Sequence, residues 1–242
     1  MIAFITGSGF YELDSITNPQ PTTIETPFGA VPVITGTWRG GPEVVFLARH
    51  GSDHSIAPHL INYRANIWAL HSLGVEAVIA TAVSGAMDES MSVGDFVLIE
   101  DFIDFTNGRD RTFFDKPGEL QHTEMGDPYD ATLRELIAGA AADQGISIAK
   151  GGIYCATNGP RFETKAEIAM MKQVGGTLVG MTGCPEVVLA NELGLRYASV
   201  AVISNVAAGL GDEEFTVAEI LALLAELKGP LEELYDAILA KL

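Results

Sequence analysis

Short β-prone runs alternate with amphipathic helical stretches along most of this 242-residue chain, and that alternation leaves few folds open. Strands separated by helices run mainly parallel, in a sheet covered by helices on both faces. The expected strands are 2–6, 31–37, 43–48, 77–82, 95–100, 150–156, 177–181 and 197–204. The expected helices are 58–73, 128–144, 163–174, 185–193 and 216–241. Pro58 suits the opening turn of the first helix, and Gly74 follows its last periodic residue. In the last helix Val217, Ile220, Leu221, Leu223, Leu224 and Leu227 form a broad apolar stripe of the core-packing kind. Region 24–48 is richer in strand and glycine and predicts an antiparallel hairpin appended to the sheet. There is no internal repeat or low-complexity linker. We therefore expect one α/β domain over residues 1–242, with a mixed, mostly parallel central sheet flanked by helices.

In sheets of this kind ligands bind at the carboxyl ends of the strands, and polar groups recur there. Arg49-His50-Gly51-Ser52-Asp53-His54 follows the apolar run Val44–Ala48 and suits a small anion; an Arg satisfying a nearby carboxylate is the plain alternative. Gly7-Ser8-Gly9 follows the first strand, where backbone N–H groups and a hydroxyl can hold an oxyanion or simply form a tight turn. Thr81-Ala82-Val83-Ser84-Gly85-Ala86 leaves amides accessible, or merely packs tightly. Asn158-Gly159-Pro160-Arg161-Phe162-Glu163-Thr164 brings Glu163 to a helix start, as a cap or as an acceptor for ligand N–H groups with Phe162 packed on the ring. Met181-Thr182 and Ser204-Asn205 end two further strands. An Asn offers both a donor and an acceptor to a heteroaromatic edge, although at a strand end it is often a turn residue. Several polar strand ends lining one crevice describe a ligand site.

Composition narrows the partners. The chain carries 14 Lys and Arg against 32 Asp and Glu, a net charge of −18, which argues against nucleic acid. No apolar run approaches the ~20 residues that span a bilayer, and the N-terminus lacks a signal-peptide pattern. Cys155 and Cys184 show no metal-type spacing, so a reduced, cytoplasmic setting is expected, with Cys184 a packing residue and no metal ligand set. The irregular stretch 107–127, with Arg109, Phe113, Phe114 and His122, is long enough to be functional or to meet a partner subunit.

Together these pieces resemble the trimeric branch of the purine nucleoside phosphorylase and methylthioadenosine phosphorylase family. The resemblance is carried by Gly7-Ser8-Gly9, Arg49-His50-Gly51, Asn62-Tyr63-Arg64-Ala65-Asn66-Ile67-Trp68-Ala69-Leu70, Gly159-Pro160-Arg161-Phe162-Glu163-Thr164, Gly180-Met181-Thr182 and Pro185-Glu186-Val187. It implies attack of phosphate on the anomeric carbon of a purine nucleoside, releasing base and a pentose 1-phosphate, with no cofactor. By position it assigns phosphate to Ser8, Arg49, His50, Thr182 and the amides near Val83. It assigns the nucleoside to Ser84, Gly85, Phe162, Glu163, Met181, Asn205 and Val217. Asn205, Glu163 and His50 would be the catalytic groups.

The resemblance also bears on substrate. In the family, Asp at the position of Asn205 goes with 6-aminopurines and Asn with 6-oxopurines. Val217 falls where phosphorylases of ordinary nucleosides carry a His that meets the 5′-hydroxyl, and it suits an apolar 5′-methylthio group. S-methyl-5′-thioinosine combines both features, and Ile203-Ser204-Asn205-Val206-Ala207-Ala208-Gly209 is similar to phosphorylases of that substrate. Ala82 departs from the Asn or Thr common in relatives and leaves one phosphate contact to backbone alone. Methylthioadenosine phosphorylase, inosine or guanosine phosphorylase, a hydrolytic nucleosidase and a non-catalytic nucleoside-binding protein are the alternatives. A homotrimer in which loop 107–127 completes a neighbour's pocket is the implied assembly.

Overall fold

The computed structural model describes residues 1–10, 14–211 and 216–242. Among these residues nine strands form one sheet: β1 (Ile2–Thr6), β2 (Ile16–Thr26), β3 (Gly29–Trp38), β4 (Glu43–Ala48), β5 (Ala77–Ala86), β6 (Phe96–Asp104), β7 (Ile148–Ala156), β8 (Leu178–Gly180) and β9 (Arg196–Val206). Five α-helices among the described residues accompany them: α1 (Tyr63–Ser72), α2 (Ala131–Gln144), α3 (Lys165–Gln173), α4 (Gly183–Glu192) and α5 (Val217–Leu239). The sheet order is β2-β3-β4-β1-β5-β8-β7-β6-β9, and β9 also pairs with β5. Strands β5, β8, β7, β6 and β9 therefore close into a ring, while β1 to β4 extend from it as an open wing. Five of the nine pairings are parallel, and β2–β3, β3–β4, β5–β8 and β6–β9 are antiparallel.

Closure of the ring explains why several strands outrun the sequence expectation. β5 continues to Ala86 and β6 to Asp104 because each keeps a partner past the point where its apolar run ends. The expected hairpin is present, but its first strand begins at Ile16. That strand hides in the sequence because it is an exposed edge carrying Pro19 and Pro21, which an edge tolerates. The first helix is shorter than expected. Pro58 opens a separate turn of 3-10 helix ending at Leu60, Ile61 is extended, and Asn62 caps α1 by accepting from the Ala65 N–H at 3.0 Å.

One core layer gathers α1 and α4 against the sheet, with Ile67, Leu70, Val187 and Leu189 fully buried. The opposite layer packs α2 and α5, through Ile137, Leu231, Leu234 and Ile238. Among the described residues, no helix is long and apolar enough to cross a membrane, and no group of His, Cys, Asp and Glu is arranged to hold a metal ion. Both cysteines are free and buried, and burial raises both thiol pKa values, that of Cys155 to about 11.

Candidate active site

β1 and β4 run parallel with Thr6 beside Ala48, so their exits lie side by side. Gly7 follows one and Arg49-His50 the other. A Cβ at Gly7 would stand 3.2 Å from Arg49 Nη1 and 3.7 Å from His50 Nε2, so a glycine lets the turn close over both side chains. Gly9, at φ +81°, lies against Leu224 of α5, where a side chain would collide. Ser8 sits between these glycines, half-buried.

Arg49 is 2% exposed. Its Nε and Nη2 each donate at 2.7 Å to a carboxylate oxygen of Glu186, and Nη1 donates to the Thr81 carbonyl at 3.0 Å. The Tyr197 hydroxyl donates to Glu186 at 2.7 Å. Burial works against the guanidinium charge, but the carboxylate outweighs it and the pKa lies above its usual value. The carboxylate alternative read from the sequence is thus realised, yet it leaves two of the five guanidinium N–H donors, one each on Nη1 and Nη2, outside these bonds. Glu186 belongs to the Pro185-Glu186-Val187 motif, to which the sequence alone assigns no role. Its signal was a lone carboxylate within the apolar run Pro185–Ala190, where a charge demands a partner.

His50 Nδ1 lies 2.8 Å from the Ile56 carbonyl, which can only accept, so Nδ1 carries the hydrogen and Nε2 a lone pair. Burial lowers its pKa to about 4, Arg49 and His54 push the same way, and the Ile56 carbonyl opposes them. The ring is neutral at ordinary pH.

β8 runs antiparallel to β5 with Val179 opposite Gly85, which carries Met181 and Thr182 back along β5 towards Val83. The Tyr154 hydroxyl accepts from the N–H groups of Thr182 and Gly183 at 3.1 and 3.3 Å. Thr182 is the N-cap residue of α4 but makes no capping bond with its side chain, so its hydroxyl is not consumed there. A Cβ on Gly159 would strike Met181 Sδ, which brings the exit of β7 against that of β8.

Glu163 is not a helix cap. Thr164 and Glu167 form the capping box of α3, and Glu167, held down to about 2 by Arg161, pairs with that Arg at 2.8 Å. Glu163 instead accepts from the Thr157 hydroxyl at 2.6 Å. Beside it Phe162 is 54% exposed.

Asn205 pairs with Gly85 across β5 and β9, and a Cβ on Gly85 would lie 3.3 Å from Asn205 Nδ2. Its Oδ1 accepts from the Ser204 hydroxyl at 2.8 Å and its Nδ2 donates to the Val206 carbonyl at 2.9 Å. Turning the amide over would press two acceptors together at Val206, so its orientation is fixed and one N–H remains to face a ligand. Ser84, buried, donates to the Ala82 carbonyl at 3.1 Å. Arg49, held at Thr81, and Asn205, beside Gly85, are thus about 13 Å apart along one strand at ~3.3 Å per residue. Val217 starts α5 and is 64% exposed. Arg109, in the long loop, binds the exits of β7 and β8, while Phe113 is buried against Phe28 and Trp68 of its own chain and His122 is exposed. A cavity of about 400 Å³ is lined by Phe28, Asn62, Tyr63, Arg64, Arg109 and Asp110, among others, and includes none of the strand-exit groups.

The family profile described as the phosphorylase superfamily matches residues 1–240. A 6-oxopurine nucleoside phosphorylase of Pyrococcus furiosus is 44% identical over 99% of this chain and 91% of its own. A protein of Methanothermobacter thermautotrophicus named "probable S-methyl-5′-thioinosine phosphorylase" is 41% identical over 100% of this chain and 84% of its own. Among solved structures, methylthioadenosine phosphorylase of Schistosoma mansoni in complex with adenine superposes with a TM-score of 0.93 at 31% identity, covering 99% of this chain and 90% of that one.

Proposed function

This chain belongs to the phosphorylase superfamily, and on that premise we propose that it cleaves the N-glycosidic bond of a 6-oxopurine nucleoside with inorganic phosphate, S-methyl-5′-thioinosine being the preferred substrate. The observation that carries the 6-oxo assignment is the locked carboxamide of Asn205, whose remaining N–H suits a keto oxygen and not an exocyclic amine. Glu163, held by Thr157, accepts from ring N–H groups, and Phe162 covers the base. Phosphate sits over the exits of β1 and β4. There it takes the remaining Arg49 donors, the hydroxyls of Ser8 and Thr182 and amides near Val83. The lone pair on His50 Nε2 accepts from a protonated phosphate oxygen.

In the reaction a phosphate oxygen bonds to C1′ as the C1′–N bond breaks and its electron pair moves into the purine. Positive charge builds on the sugar and negative charge on the base, so donors aimed at the base lower the barrier. The sugar lies between, with Met181 beneath it and Ser84 and Gly85 alongside. The exposed Val217 faces the 5′-methylthio group. The scheme uses no metal and no organic cofactor, phosphate being a substrate. Residues 1–242 act as one domain, and we place the protein in the cytoplasm as a homotrimer. Its exposed His122 is offered to a neighbour, whereas Phe113 serves its own core; light scattering checks the stoichiometry.

The deciding assay measures base release from S-methyl-5′-thioinosine, inosine, guanosine and S-methyl-5′-thioadenosine, with and without phosphate. The expected result is phosphate-dependent release, fastest from S-methyl-5′-thioinosine. Fastest release from S-methyl-5′-thioadenosine favours the activity named for the Schistosoma structure. Release without phosphate indicates a hydrolase, and no release indicates a binding protein.

A further inference from the structure

Arg109 lies outside every role assigned above, yet its guanidinium reaches more of the site's backbone than any other side chain described. Nη2 donates to the carbonyls of Met181 at 2.8 Å, Asn158 at 3.1 Å and Thr157 at 3.3 Å. Nη1 donates to the Cys184 carbonyl and to the Tyr63 hydroxyl, the latter at 3.2 Å, and the guanidinium carbon stands 5.1 Å from the centre of the Tyr63 ring. These carbonyls belong to two loops with different duties. Thr157 holds Glu163 through its hydroxyl. Met181 and Cys184 flank Thr182 and the start of α4, the helix that carries Glu186 to Arg49.

We propose that Arg109 is a positioning residue that fixes the distance and angle between the purine-binding loop after β7 and the sugar- and phosphate-binding turn after β8. The inference rests on the phosphorolysis reading. Carbonyl groups turned towards one another repel, and only a planar cation with donors on both terminal nitrogens can draw four of them together from two loops. Otherwise, among the described residues, the Thr157 N–H and hydroxyl donate to the Gly180 carbonyl at 2.9 and 3.5 Å, and Gly159 leaves no room for a Cβ beside Met181. The loop that delivers Arg109 is tied down beside them, since the Asn158 carboxamide exchanges hydrogen bonds with Asn107 at 3.0 to 3.1 Å. A nucleoside whose base is held by one loop and whose sugar by the other reacts only if both are in register, and a misplacement of about 1 Å costs on the order of 100-fold in rate.

The test compares Arg109→Ala and Arg109→Lys with the wild type, following kcat for phosphorolysis, the folded fraction by circular dichroism, and rescue by added guanidinium below denaturing concentration. Both variants are expected to fold and to lose on the order of 100-fold in kcat. Guanidinium should restore part of the rate to Arg109→Ala and none to Arg109→Lys, whose ammonium fills the space without the planar fork. If Arg109→Ala fails to fold, a folded Arg109→Lys with lowered kcat upholds the proposal. A kcat near the wild-type value in either folded variant, a loss that only follows the folded fraction, or no rescue of folded Arg109→Ala overturns it. A wild type that releases no base in the same assay overturns the phosphorolysis reading and this inference together, whereas an active wild type beside an unimpaired variant overturns the inference alone.

Discussion

At the buried end of the proposed site Arg49 is 2% exposed, with three donors committed to Glu186 and Thr81; at the end proposed for base and 5′ group, Phe162 and Val217 are 54% and 64% exposed. The first end is a product of the core. Its groups sit on β1, β4 and α4, and their geometry is set before any ligand arrives. The second end is carried on the last residues of β9, the loop before α3 and the start of α5, with Phe162 and Val217 open to solvent. The contrast suits the proposed chemistry. Phosphate is the same in every turnover and can be met by a fixed cage, whereas purine and 5′-substituent distinguish one nucleoside from another and are read by groups that substitution can alter cheaply.

If the contrast is right, damage at the buried end is felt as instability and damage at the open end as altered selectivity. The largest effect is expected from Glu186→Gln, which leaves the Arg49 charge buried without its counter-ion and should cost about 3–5 kcal/mol of stability; chemical denaturation measures it, and a loss below about 1 kcal/mol would mean that the pair is not structural.

His50 gives the next. Its folded pKa of about 4 lies below the unfolded 6.5, so unfolding takes up a proton between those values. Its contribution is intact above pH 6.5 and declines as pH falls from there towards 4, by up to about 3 kcal/mol. His50→Gln should flatten that part of the stability–pH curve, and an unchanged slope removes the assignment.

At the open end, Asn205→Asp sets a carboxylate oxygen against the Val206 carbonyl and removes the N–H offered to the base. The ratio of kcat/KM for 6-oxo over 6-amino nucleosides should fall roughly 10- to 100-fold, equivalent to about 1–3 kcal/mol. An unmoved ratio discards the Asn205 assignment. The smallest effect is expected from Val217→His, which offers one hydrogen bond to a 5′-hydroxyl and should raise activity on inosine relative to S-methyl-5′-thioinosine about fivefold, or ~1 kcal/mol. No change in that ratio would show that Val217 does not face the 5′ group.

What could be read from the sequence divides along the same line. Strands β1 and β4 were legible to the residue because both are buried apolar runs with clear ends. β2 was not, since an exposed edge strand has no apolar alternation to betray it. Arg49 and His50 stood out by chemistry alone, but the carboxylate that holds Arg49 lies 137 residues away, and only contact in space identifies it. For Glu163 the sequence leaves a cap and a ligand acceptor both open, and the capping box of Thr164 and Glu167 removes the first. The orientation of the Asn205 amide depends on Ser204 and on a neighbouring carbonyl, a relation of geometry that residue types do not express.

In the proposed site phosphate is held at the buried end and a 6-oxopurine at the open end. A crystal structure of the protein grown with phosphate and hypoxanthine tests it most directly. Phosphate is expected within hydrogen-bond distance of Arg49, His50 and Thr182, with the purine 6-oxygen facing Asn205 Nδ2. Phosphate bound away from Arg49, or a base turned with its 6-oxygen away from Asn205, would contradict it.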